Sequence, residues 1–111
     1  MIAIVLFAAA AIGGVVLAVL RLQGRTLPTS LALVHGAAAA AGLVALIFAV
    51  FVSGLHAKVP TLLFVIAALG GFVLFSFHLR RKSIPISVML IHAGVAVVAF
   101  ALLVVGLYGG G

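Results

Sequence analysis

Residues 28–53 read PTSLALVHGAAAAAGLVALIFAVFVS, a stretch with no charged side chain other than the titratable imidazole of His35. About 20 consecutive apolar residues are enough for a helix to cross the hydrocarbon core of a bilayer. At about 1.5 Å per residue this stretch would measure about 39 Å, so it must tilt or extend beyond a core of about 30 Å. The stretch therefore predicts a transmembrane helix.

Three more stretches of the same character occur in the 111-residue chain, which is 68% hydrophobic and contains no Asp or Glu. So little charge is incompatible with a surface that faces water. The sequence therefore predicts an all-α membrane protein with four transmembrane helices, which form one bundle domain. The predicted spans are Ile2–Leu20, Pro28–Ser53, Thr61–Leu79 and Pro85–Tyr108.

Residue types that the chain lacks exclude several kinds of site. Without cysteine, the chain cannot form disulfides, iron–sulfur clusters or thiolate metal sites. Without carboxylates, it offers no oxygen cage for Ca²⁺ or Mg²⁺, and no embedded glutamate of the kind that small multidrug transporters use. No pairing of a nucleophile with a base is visible, so we do not expect an enzyme that acts on its own.

The formal net charge of +6 is concentrated in two short loops. By the positive-inside rule, residues 21–27 and 80–84 are predicted to be cytoplasmic loops, and both chain termini to lie outside. This distribution explains the charge without nucleic acid as a partner, and the expected partner is the lipid bilayer. The basic residues of these segments are Arg21, Arg25, Arg80, Arg81 and Lys82.

The first half of the chain aligns with the second without gaps when the sequence is shifted by 57 positions, and about 15 of the 54 aligned pairs are identical. We therefore predict two tandem two-helix repeats, residues 1–57 and 58–111, related by a pseudo-two-fold axis along the membrane normal. They would form an up-down-up-down bundle, with the first helix facing the third and the second facing the fourth. The first span also lacks the basic start of a signal peptide, so it is expected to stay in the mature protein. The matched landmarks are Gly13-Gly14 with Gly70-Gly71, Pro28 with Pro85, Ser30 with Ser87, and His35 with His92.

The matched prolines are interpreted as the beginnings of the second and fourth helices. Proline suits the first helical turn because the N–H that it lacks would be unpaired there in any case. Thr26 and Ser83 lie two residues before the prolines, and we interpret their hydroxyls as part of the same helix-start signal.

The two histidines need a further explanation. Each follows its proline by seven residues, which places it about 10 Å along the helix and within the cytoplasmic half of the hydrocarbon region. Polar side chains there are costly and usually face a partner inside the bundle. One interpretation is a neutral imidazole hydrogen-bonded to a hydroxyl or carbonyl of a neighbouring helix.

A second interpretation is a binding site for haem b. The glycine pairs lie at the same depth as His35 and His92, and although small residues also serve close helix packing, they would leave room here for a flat macrocycle. His35 and His92 would bind the iron from opposite sides, as in bis-histidine sites of helix bundles. Two imidazoles alone leave Zn²⁺ or Cu without enough ligands. The other predicted cofactor contacts are Gly13, Gly14, Gly70 and Gly71 against the ring, and Ser30, Ser87, Arg21, Arg25, Arg80, Arg81 and Lys82 near the propionates.

Three functions follow from these interpretations. The first is a membrane-integral b-type cytochrome that transfers electrons. In one version of this function it is a subunit of a larger quinone-linked oxidoreductase, with quinone or other redox subunits as partners. The second is a non-redox accessory or assembly subunit of a membrane complex. The third is a small oligomeric carrier or channel with titrating histidines. The architecture is similar in outline to small four-helix b-type cytochromes of bacterial membranes, without a shared motif; that resemblance implies a bacterial inner membrane.

The two remaining histidines are given simpler roles. His78 aligns with Arg21 at the end of the third span, and we interpret it as an interfacial residue whose ring reaches toward the headgroups. His56 lies in the opposite loop and is expected to face water.

Overall fold

The computed structural model describes residues 1–109, which form four α-helices and one short π-helical segment. All four helices are long and apolar enough to cross a membrane. The predicted all-helical class, with four helices long and apolar enough to span a membrane, is therefore confirmed. The last two positions of the predicted second repeat, 110–111, lie outside the described residues. The elements are α1 (Ile2–Leu22), α2 (Thr29–Phe51), α3 (Lys58–Leu79), α4 (Ile86–Val104) and a π-helix (Val105–Gly109) that continues α4.

The largest error in the predicted spans is the beginning of α3, which is Lys58 rather than Thr61. The sequence prediction assigns Lys58 to the loop between the second and third helices. In the structure Pro60 lies in the first turn of α3, where a missing N–H breaks no helical hydrogen bond. Thr61 closes this turn, because its backbone N–H and its hydroxyl both donate to the carbonyl of Ala57, at 3.1 Å and 2.7 Å.

Pro28 and Pro85 directly precede α2 and α4 instead of lying within the first turn. Both have an extended backbone conformation, with φ/ψ of −65°/129° and −63°/124°. Their carbonyls accept the first helical hydrogen bonds, from the N–H groups of Ala32 and Met89. No side chain caps either helix, so the hydroxyls before the prolines do not act as N-caps.

The helices pack mainly in sequential pairs, α1 along α2 and α3 along α4, and the two pairs meet through α2 with α3 and α1 with α4. The backbones of α1 and α3 are farther apart and meet through side chains. The rings of Phe7 and Phe64 stack face to face across the bundle, with centroids 3.8 Å apart and planes at 2°. The ring of Phe7 also fills the space beside Gly42, where an added Cβ atom would lie 3.0 Å from Cε1 of Phe7.

The buried core occupies one half of the bundle, which we call the closed half. It is formed by the beginning of α1, the end of α2, the beginning of α3 and the end of α4. In the other half, between the two histidines and the loops at 23–28 and 80–85, Met89 is the only buried side chain among the described residues. We call this the open half. The core of the closed half consists of Ala3, Phe7, Leu46, Val50, Ala57, Phe64, Ala99 and Leu103.

The aromatic stack is expected to contribute measurably to the stability of the bundle. Phe7→Ala should lower the free energy of unfolding in detergent by about 1–2 kcal/mol, less than the about 3–5 typical of water-soluble cores, because lipid replaces water as the solvent for the helices. Phe72→Ala is the matched control, since Phe72 is 71% exposed. Equal losses in the two variants, measured by reversible unfolding in mixed micelles, would contradict a structural role for the stack.

Candidate functional site

His35 on α2 and His92 on α4 face each other across the bundle. Their ring centroids are 6.3 Å apart, and their planes are almost perpendicular at 88°. Both side chains are partly buried. The structure therefore brings together the two histidines that the sequence analysis singled out.

A backbone carbonyl holds each imidazole in place. Nδ1 of His35 lies 2.7 Å from the carbonyl oxygen of Ala10, and Nδ1 of His92 lies 2.7 Å from that of Ala67. A carbonyl oxygen only accepts, so Nδ1 must carry the proton and donate it. The neutral ring then has a free lone pair at Nε2, the nitrogen with which histidine can bind a metal.

Neither Nε2 atom forms a hydrogen bond with any residue between 1 and 109. The two rings are thus fixed by one nitrogen and leave the other available. Sequence analysis did not identify Ala10 and Ala67 as the acceptors. The sequence contained one indication of their role: Ala10 and Ala67 are identical in the alignment shifted by 57 positions, and each lies three residues before a glycine pair.

The four glycines lie against the imidazoles themselves. A Cβ atom at Gly14 would lie 3.0 Å from Cε1 of His35, and one at Gly71 would lie 3.3 Å from Cε1 of His92. At Gly13 and Gly70 the corresponding distances, to Cβ of the nearest histidine, are 3.4 Å and 3.5 Å. The absence of side chains lets each ring approach α1 or α3 closely enough to reach its carbonyl. The imidazoles thus occupy the space beside the glycines that was predicted to hold a macrocycle.

The residues predicted to contact propionates differ in position. Arg21 is partly buried, and its Nε donates to the carbonyl oxygen of Ile84 at 2.8 Å. Arg80 is exposed, donates to Ser76 and lies over the ring of Phe77, with Cζ 5.0 Å from the centroid. The remaining residues predicted to contact propionates are exposed; they are Arg25, Ser30, Arg81, Lys82 and Ser87.

His78 has more specific contacts than its interpretation as an interfacial residue indicated. Its Nε2 lies 2.8 Å from the hydroxyl oxygen of Thr29 at the beginning of α2. Its ring also stacks on that of Phe75, with centroids 5.9 Å apart. The signal for this role was the alignment of His78 with Arg21. His56, in contrast, is exposed in the loop between α2 and α3.

The two imidazoles are too few to bind a bare metal ion, but they suit a metal that is already bound by other ligands. Within the described residues, no three His, Cys, Asp or Glu side chains lie close enough to hold an ion. First-row metals bind imidazole nitrogen at about 2.0–2.1 Å, so two rings on opposite sides of one ion have centroids roughly 6 Å apart. The observed separation of 6.3 Å is close to that value. The iron of a haem already has four nitrogen ligands, so it would need only two more from the protein.

Comparisons with protein-family models, with curated proteins and with solved structures give no match to this chain.

Proposed function

We propose that this protein is a membrane-integral b-type cytochrome that binds one haem b between His35 and His92 and transfers electrons. One observation carries the proposal. The two imidazoles face each other at 6.3 Å, each with Nδ1 bonded to a carbonyl and Nε2 free of hydrogen bonds to the described residues.

The proposal includes a tandem duplication and an up-down-up-down arrangement of the helices. Pairs of residues 57 positions apart have equivalent contacts, which supports the duplication: the two stacked phenylalanines, the two histidines and the two carbonyl acceptors. The closed half combines the first ends of α1 and α3 with the last ends of α2 and α4, which supports the alternating direction. By the positive-inside rule, the loops at 23–28 and 80–85, with Arg21 at the end of α1, face the cytoplasm and both termini face the other side.

In this function the haem supplies the one-electron chemistry, and the chain positions and tunes it. The hydrogen bonds from Nδ1 to the carbonyls of Ala10 and Ala67 fix the tautomer and the orientation of both imidazoles. They also make the lone pair of Nε2 a stronger ligand for a metal. The closed half excludes water from one side of the site, and the low local dielectric strengthens the effect of nearby charges on the haem. Fewer side chains are buried in the open half than in the closed half.

A single haem in one half of the bilayer cannot carry an electron across the whole membrane. The chain contains four histidines, and the two besides the proposed ligands lie at opposite ends of the bundle, so the described residues hold no second pair. The protein would therefore exchange electrons with a quinone or with other redox subunits of a membrane complex, in a bacterial inner membrane. A homo-oligomer is the alternative assembly.

The same hydrogen bonds also fit an accessory subunit without a redox cofactor. In that case the imidazoles would join α1 to α2 and α3 to α4, and Nε2 would have no further role. An accessory subunit would have the same hydrogen bonds at the two histidines, but it would bind no haem and would be colourless.

The optical spectrum of the purified protein tests the proposal. Protein expressed with ample haem is expected to contain about one haem per chain and to show a Soret band, with a sharp α-band in the reduced-minus-oxidised difference, as six-coordinate bis-histidine haem requires. Haem content can be measured independently as the pyridine complex. Folded protein that remains colourless under these conditions would support the accessory subunit and refute the cytochrome.

A further inference from the structure

Arg21 and His78 have equivalent positions at the loop end of the open half. Arg21 follows Gly14 by seven residues on α1, and His78 follows Gly71 by seven on α3. Residues seven apart lie on the same face of a helix, about 10 Å from each other along its axis. Both side chains therefore project from the helix faces whose glycines contact the two imidazoles.

Burial and contacts distinguish these two residues from the other basic residues at this end. Arg21 and His78 are partly buried, whereas Arg25, Arg81 and Lys82 are exposed. Each is also tied to the opposite pair of helices. Arg21 donates from Nε to the carbonyl oxygen next to the proline that precedes α4, and His78 bonds through Nε2 to the hydroxyl at the beginning of α2.

These bonds leave part of each side chain available. Both terminal nitrogens of Arg21, Nη1 and Nη2, form no hydrogen bond with the described residues, and neither does Nδ1 of His78. A guanidinium that is partly removed from water needs an anion or hydrogen-bond acceptors nearby. The chain contains no Asp or Glu, so no acidic side chain of its own can fill this role.

We propose that Arg21 and His78 bind the two propionate carboxylates of the haem, one at each side of the open half. This inference rests on the proposed function. A propionate and a lipid phosphate offer the same anionic oxygens, and the propionate is favoured because both residues share helix faces with the glycines beside the iron ligands. The two residues are unlike, so one carboxylate meets a permanent cation and the other meets an imidazole held by Thr29.

A cation beside a propionate stabilises the reduced haem, which has one positive charge fewer than the oxidised form. Arg21→Gln is therefore expected to shift the reduction equilibrium about tenfold toward the oxidised haem, which lowers the midpoint potential by about 59 mV for a one-electron couple. Arg21→Lys, which keeps the charge, should restore most of the potential. His78→Leu should release haem to an acceptor protein about tenfold faster than the unsubstituted chain, since it removes one anchor of the ring.

Matched controls come from the opposite end of the bundle. Lys58→Gln removes the same charge, and His56→Leu makes the same side-chain exchange, at positions that are exposed and distant from the site. Neither should change the potential or the rate of haem release. Reconstitution with the dimethyl ester of haem, in which both propionates are neutral, separates the two sources of anion: the difference in the rate of haem release between His78→Leu and the unsubstituted protein should disappear.

The outcomes are distinct. Protein that binds no haem at all would refute the proposed function. Protein that binds haem, with Arg21→Gln and His78→Leu indistinguishable from the two controls, would overturn only the propionate assignment. Faster haem release from His78→Leu that persists with the dimethyl ester would also overturn it and would assign these residues to a lipid phosphate.

Discussion

The His92→Ala variant is expected to lose the sharp α-band and to retain at least about tenfold less haem than the unsubstituted protein. Removing a group that merely hydrogen-bonds a metal-binding histidine costs about 10–100-fold in affinity, and removal of the ligand itself should cost more. His35→Ala should have the same effect, because the two rings have equivalent contacts, each through Nδ1 to a carbonyl at 2.7 Å. The measurement is haem content and the reduced-minus-oxidised spectrum of protein purified in parallel.

A rescue experiment separates loss of the ligand from loss of the fold. Free imidazole added to His92→Ala should occupy the space of the missing ring and restore a six-coordinate spectrum. His56→Ala is the control, because this histidine lies in the exposed loop at the other end of the bundle. If both ligand variants keep the original spectrum and haem content, these two histidines do not bind the iron.

The second large effect is expected for Gly14→Leu. A Cβ atom at this position would lie 3.0 Å from Cε1 of His35, and the ring cannot retreat without breaking its bond to the carbonyl of Ala10. Leucine is the better helix former by about 1 kcal/mol, so lower helix propensity would not explain a loss of binding. We expect the variant to fold and to bind at least about tenfold less haem, as judged by titration of the apoprotein with haemin.

Gly36→Leu is the matched control for this substitution. Gly36 lies on α2 next to His35, yet apart from its chain neighbours and the nearby backbone of its own helix no atom lies within 4 Å of the position that a Cβ would occupy. Smaller substitutions should rank by distance: Gly14→Ala, at 3.0 Å from the ring, should weaken binding more than Gly71→Ala, at 3.3 Å. Equal binding by Gly14→Leu and Gly36→Leu would show that the position of the ring is not critical.

The sequence was sufficient to predict the helical class because length and hydropathy determine whether a helix can cross a bilayer. The ends of the helices were harder to predict from the sequence. Lys58 is charged and was placed in a loop, although a cation in the first turn is tolerated where the side chain is exposed. The prolines were placed inside the first turn, but an extended backbone at Pro28 and Pro85 makes them the residues immediately before it.

The candidate site was predictable only in part, for a reason that is specific to membranes. In a water-soluble bundle, apolar periodicity shows which face of each helix is buried. Helices in lipid are apolar on all faces, so their rotation cannot be read from hydropathy. The positions of His35 and His92 along their helices were predictable from their distance to the prolines, but the carbonyl partners, the contact between glycine and imidazole, and the bond of His78 to Thr29 were not.

The uneven distribution of the core also has a consequence for biogenesis. Phe7, Phe64, Leu46 and Leu103 hold the four helices together at one end without any contribution from a prosthetic group. Under the proposed function, the newly inserted polypeptide would assemble into its final shape first and receive its haem afterwards, through the end where Met89 alone is buried among residues 1–109. Haem loading would then be a separate step of maturation, at the end of the bundle where the loops at 23–28 and 80–85 are located.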